Sequence, residues 1–142
     1  MNPLISLSPE KPKLLSEEQK SRVRQFIDAL RSGEYRQCAG ALCIKISSSN
    51  TSFCSVCSLG VACEVFRKDT KQGEWSFAGI FSEFMMQTVE LPIEVREYYG
   101  FTSTSPQVLL EDGITLLSAL FLNDSKKYTF GQIADAFERT YL

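Results

Sequence analysis

The sequence contains no histidine and only one tryptophan, Trp75. Without imidazole, neither a Ser–His–Asp nor a Cys–His arrangement can be assembled from this chain. Long apolar runs are missing as well. The longest, Ile114 to Leu122, is interrupted by Ser118 and falls far short of the roughly 20 residues a membrane span needs. No basic segment leads into a continuous apolar stretch at the N-terminus, so no signal peptide is read. There is no G-x-G-x-x-G fingerprint and no Walker loop for phosphates. Strong charge of either sign is also absent: the net charge of −2 gives no general attraction to nucleic acid or to an anionic membrane.

What is present describes one ordinary domain. A chain of 142 residues, 44% of them hydrophobic, can bury a core without disulfide staples. With no export signal a cytosolic location follows, where the five cysteines are expected to stay reduced. Their odd number also argues against a complete disulfide framework. The charges are placed unevenly. Lys11, Lys13, Lys20, Arg22, Arg24, Arg31, Arg36 and Lys45 outweigh four acids over residues 11–45. Glu83, Glu90, Glu94, Glu97, Glu111 and Asp112 face Arg96 alone over residues 83–112. A basic and an acidic face are one reading of this, and an ordinary solvated surface is the other.

Residues 1–15 hold Pro3, Pro9 and Pro12 with no hydrophobic period and read as a mobile leader, ahead of a single domain over 16–142. Ser16 with Gln19 forms a capping-box pattern, and Val23, Phe26, Ile27 and Leu30 follow as one helical stripe that Gly33 ends. From Cys38 to Ile46 the period becomes two. The polar stretch Ser47–Ser52 then turns the chain into a return strand at Phe53–Val56. Leu59–Phe66 reads as a short helix with Ala62, Val65 and Phe66 inward. Residues 74–90 fit neither period. Leu91–Gly100 is bracketed by proline at the first helical position and glycine past the end, which predicts two helical turns. Asp112-Gly113 between apolar flanks signals a hairpin. Thr129 with Gln132 repeats the capping box before the stripe Phe130, Ile133, Ala134, Phe137 and Tyr141. Helices at both ends of short antiparallel hairpins make an α+β domain.

Candidate chemistry is sparse. Cys54 and Cys57 have the spacing of a zinc knuckle, with Cys38 and Cys43 as further thiolates and Cys63 as a weaker option. The second such pair is missing, and buried free cysteine is a common packing residue, so no metal or other cofactor is expected. A thiolate at the start of the helix after Cys57 would gain from backbone amides. Glu34, Glu64, Glu74, Asp124 and Asp135 show no acid–base spacing. The remaining groups suit recognition. Tyr35 and Trp75 offer a stacking surface, Arg31 and Arg36 can hold an anion, and Gln37, Asn123 and Asp124 carry hydrogen-bonding edges. Asn123 and Asp124 are equally the residues that close turns.

The ordered motifs resemble a family of small uncharacterised proteins of bacteriophages and bacteria. They are Leu30-Arg31-Ser32-Gly33-Glu34-Tyr35-Arg36-Gln37, Cys57-Ser58-Leu59-Gly60-Val61-Ala62-Cys63-Glu64-Val65, Leu91-Pro92 through Gly100-Phe101, and Leu122-Asn123-Asp124 with Phe130, Ile133, Ala134 and Asp135. The resemblance spans about residues 20–140. Ser58 stands where that family usually has a second cysteine, which counts against a shared metal cluster. The resemblance implies an accessory protein of the bacterial cytoplasm that antagonises host defence. The expectation is a non-enzymatic binding protein, with an oligomer open, that captures a small anionic, nucleotide-like ligand or a host protein. Its site would use Tyr35, Arg36, Gln37, Trp75, Asn123 and Asp124. The alternatives are a zinc-stabilised interaction module on Cys38, Cys43, Cys54 and Cys57, or a carboxylate-dependent nucleotide hydrolase.

Overall fold

A computed structural model describes residues 14–48, 51–77 and 80–142. The expected leader therefore lies outside the described residues as far as residue 13, as does the centre of the polar stretch at 49–50. Helix α1 (Glu17–Arg31) begins at Ser16, whose hydroxyl accepts the Gln19 amide while the Gln19 side chain accepts the Ser16 amide. The four predicted stripe residues are all buried. Helix α5 (Phe130–Tyr141) starts through the same device on Thr129 and Gln132. The two helices pack together: Phe26 meets Phe137 edge-on at 5.0 Å, and Arg31 bonds Asp135 at 2.7 Å and Glu138 at 3.2 Å.

The main sheet runs β1-β3-β2-β5-β4. Its centre is the expected hairpin, β2 (Cys43–Ser48) against β3 (Thr51–Val56), with Cys43 opposite Val56 and Ser48 opposite Thr51. Strand β2 starts later than its alternation suggested. Residues 38–42 form a bend with Gly40 at φ +89°, and the Leu42 amide turns aside to the Thr88 carbonyl. Most of the polar stretch belongs to the strands themselves. Strand β1 (Arg36–Gln37) pairs with β3 in parallel and carries no alternation at all. The undecided region resolves into β4 (Trp75–Phe77) and β5 (Phe81–Phe84). Beyond β5 the chain reverses at Met85 and Met86, with φ of +49° and +72°. Glycine or asparagine is the usual occupant of such a left-handed turn.

Helix α2 (Ser58–Thr70) extends a full turn past the expected end, to where Lys71 closes it in the left-handed conformation at φ +62°. It lies against the inner face of the sheet, where Cys43, Val56, Ser82 and Phe84 are buried and Phe66 meets Phe84 edge-on at 6.3 Å. Helix α3 (Ile93–Tyr99) begins one residue later than predicted. Pro92 serves as the cap, its carbonyl accepting the Arg96 amide at 3.0 Å, and Gly100 ends the helix at φ +83°. The small sheet β6 (Gln107–Leu109) and β7 (Leu116–Ser118) closes over Asp112, as the turn signal predicted. Helix α4 (Ala119–Asp124) follows directly. The architecture is a single α+β domain, and among the described residues no helix is long and apolar enough to cross a membrane.

Candidate functional site

Gln37 on β1 and Asn123 at the end of α4 meet. The Gln37 side-chain amide donates to Asn123 Oδ1 at 2.9 Å and to the Tyr128 carbonyl at 2.8 Å. Asn123 Oδ1 also accepts the Ser58 backbone amide at 3.2 Å, while its Nδ2 donates to the Cys38 carbonyl at 2.8 Å and to Asp124 at 2.9 Å. Two donors and two acceptor positions are thereby satisfied, which is all that an amide side chain offers. Asn123 is only 3% exposed. It is a structural tie holding β1, the start of α2 and the α4–α5 connection, and Asp124 is its partner. The hollow beside it, about 290 Å³, is lined by Gln37, Cys38, Lys127, Tyr128 and Thr129 as well as Asn123.

Tyr35 and Trp75, the other recognition residues, come together elsewhere. Both line a cavity of about 230 Å³ with Cys43, Cys54, Glu64 and Arg67. The local reasons are separate. Trp75 is the first residue of β4, and its ring rests on Phe84 with centroids 5.0 Å apart. Tyr35 precedes β1 and is held by Lys68 of α2, whose ammonium donates to the Tyr35 hydroxyl at 3.1 Å and lies 5.5 Å from its ring centre. Glu64 and Arg67, one turn apart on α2, form the polar floor. Arg67 donates to the Glu64 carboxylate through Nε at 2.7 Å and Nη2 at 3.1 Å, and Trp75 Nε1 adds a third bond at 2.6 Å. Burial opposes ionisation of Glu64, but the bonds from Arg67 and Trp75 outweigh it and its pKa lies below the ordinary value.

Burial disfavours the thiolate at Cys38, Cys43, Cys57 and Cys63. Burial raises Cys38 to about 11 and Cys57 to about 12. At Cys57 it prevails over the helix-start amides of Leu59 and Gly60, so the helix terminus does not create a thiolate there. Cys43 reaches about 12 through burial first and the neighbouring Cys54 thiol second. Cys43 and Cys54 share the ring cavity, Cys38 lines the other hollow, and Cys57 stands buried at the N-cap position of α2. Among the described residues no group of three or more Cys, Asp or Glu side chains lies close enough to hold a metal ion.

Of the two candidate anion-holding arginines, Arg31 is committed to Asp135 and Glu138, and Arg36 stands on the edge strand opposite Ser55. The six recognition residues thus divide: Tyr35 and Trp75 at one cavity, Gln37, Asn123 and Asp124 at a tie, Arg36 in neither lining. Glu64 and Arg67 are the site residues that sequence reasoning did not place in the site. Their spacing of three on a helix was visible, and a partly buried tryptophan needs an acceptor for its N–H.

A family model described as a domain of unknown function (DUF8296) matches residues 19–141. No curated protein and no solved structure matches the chain.

Proposed function

The chain belongs to this domain family of unknown function, and we propose that it is a binding protein that captures a small molecule by a planar ring. The observation that carries this reading is the meeting of Tyr35 and Trp75, forty residues apart in sequence, at one cavity floored by the Glu64–Arg67 pair. Aromatic faces supply stacking, and the fixed polar floor supplies orientation. Size limits the ligand. At about 230 Å³ the cavity is smaller than the roughly 300–1,000 Å³ that encloses a drug-sized molecule, so it takes one ring and leaves the rest outside.

Capture without turnover fits the state of two of the lining groups, Cys43 and Glu64. The Cys43 thiol is protonated at neutral pH, and the Glu64 carboxylate is already engaged by three donors. Neither is poised as a nucleophile or a general base. In this reading the protein acts as the accessory factor its family resemblance suggests, withdrawing a ring-bearing signal molecule during phage infection of a bacterium.

A thermal-shift screen of the purified protein against free nucleobases, nucleotides and cyclic nucleotides tests the proposal. A ligand at one hundred times its dissociation constant should stabilise the fold by about 2.7 kcal/mol. No stabilisation by any ring compound would remove the reading.

A further inference from the structure

Cys43 and Cys54 meet diagonally across the β2–β3 hairpin. Cys43 lies opposite Val56 and Cys54 opposite Lys45, so the two cysteines are offset by two residues and point to one face. Both line the ring cavity, and Cys54 is only half-buried. Both thiols are free. After burial, the neighbouring Cys54 thiol is the largest cause of the raised Cys43 pKa, so the two sulfurs interact.

The offset decides what this pair can hold. Diagonal neighbours on adjacent strands stand roughly 7–8 Å apart, past the roughly 7 Å beyond which a disulfide needs backbone movement. A single atom bonded to both sulfurs spans the extra distance. The surroundings limit that atom to two ligands. Among the described residues no third Cys, Asp or Glu side chain lies close enough to complete a larger metal site. Glu64, the carboxylate of the cavity, is held by Arg67 and Trp75. Cys38 turns its thiol to the Ala41 and Ser55 carbonyls, at 3.6 and 3.3 Å. Zinc, with its preference for four ligands, is poorly served here. Thiolates with no harder donor beside them select Cu(I), which is satisfied by two.

We infer that Cys43 and Cys54 form a two-coordinate site for a soft monovalent cation, Cu(I). Binding forms two copper–sulfur bonds and breaks two S–H bonds. Both protons leave to solvent, and no electron is transferred. The bis-thiolate complex carries one negative charge, and Lys45 answers it. That side chain stands directly opposite Cys54 on the same face, with its ammonium 5.2 Å from the Phe77 ring centre. Lys45 has no ion-pair partner among the described residues. The site shares the ring cavity but does not depend on ring capture.

Anaerobic titration of the reduced protein with Cu(I), against a chromophoric Cu(I) chelator, tests the site. The wild type should take one ion per chain, and the emission of Trp75 in the same cavity should change to the same end point. Cys43→Ser and Cys54→Ser should each weaken binding by more than about a hundredfold, beyond the roughly 10–100-fold lost with a supporting residue. Cys38→Ser keeps the pair and should bind as the wild type does. X-ray absorption of the wild-type complex, which needs no variant to fold, should show two sulfur neighbours around copper. One or three sulfur neighbours, wild-type affinity in Cys54→Ser, lost binding in Cys38→Ser, or displacement of the ion by Zn(II) overturns the site. Failure of Cu(I) to leave the chelator overturns it too, and adenine binding in the same preparation would show that ring capture stands without it.

Discussion

Asn123 caps a helix that begins 65 residues before it in the chain. Its Oδ1 accepts the Ser58 backbone amide at 3.2 Å, at the start of α2, where the residue in the N-cap position, Cys57, offers no side-chain hydrogen bond. The same oxygen accepts from Gln37, so one buried amide ties the edge strand that follows Tyr35 to the helix that carries Glu64 and Arg67. The cavity at Tyr35 and Glu64 is thus positioned by a residue outside its lining.

Asn123→Ala should therefore destabilise the protein by about 2–4 kcal/mol, since it leaves the buried Ser58 amide and the Cys38 carbonyl without a partner and takes from Gln37 one of its two acceptors. Asn123→Asp keeps the acceptor for Ser58 but loses the donor to Cys38 and sets a second carboxylate beside Asp124. It should be destabilised as well, and more so above the carboxylate range than below it. Urea denaturation of both variants at two pH values checks the order.

A second prediction concerns the junction that leads into α2. A Cβ built on Gly60 would run into the Leu42 carbonyl, which already accepts the Cys57 amide at 3.1 Å. Backbone on both sides leaves little room to relax. Gly60→Ala should cost about 2–3 kcal/mol despite the better helix propensity of alanine, measured as a shift in the denaturant midpoint at unchanged slope.

The reversal at Met85 and Met86 predicts a gain. Met86 is 88% exposed and held at φ +72°, where an L side chain costs roughly 1–2 kcal/mol. Met86→Gly should raise stability by about 1 kcal/mol, the relieved strain being partly offset by glycine's greater unfolded entropy. An unchanged or lower melting temperature would contradict this.

Glu64 gives a pH signature. Its folded pKa lies below the ordinary value despite burial, so its contribution to stability is present above the unfolded pKa and is lost as pH falls through the folded one. Trp75 donates to the same carboxylate, so its emission should change as that proton is taken up below the ordinary carboxylate range. Fluorescence titration of wild type and Glu64→Gln checks this, and the transition should vanish in the variant.

Much of the fold was legible in the residues because its signals are local. Both capping boxes, the stripes of α1 and α5, the β2–β3 hairpin and the Asp112 turn each need only a few neighbouring positions. What was hidden depends on topology. Strand β1 is two residues long and parallel, so it has no period to read. Residues 74–90 carry bulky side chains whose spacing is set by Phe66 and Trp75 packing around Phe84 rather than by a repeat. At the site, Tyr35 and Trp75 were recognisable as stacking residues, but their cavity partners Glu64 and Arg67 face it only because α2 crosses the inner face of the sheet. Asn123 was visible as either a turn or a binding residue. Its amide is engaged in four hydrogen bonds within the protein.

The most direct measurement is a titration of Trp75 fluorescence with adenine in wild type and in Tyr35→Ala. Because Trp75 is the only tryptophan, a signal from it reports on this cavity. Ring capture predicts a saturable change in the wild type, with affinity about tenfold weaker once Tyr35 is truncated, the order expected when one aromatic wall is lost. Saturable binding of equal affinity in both proteins, or no saturable change in either, would contradict it.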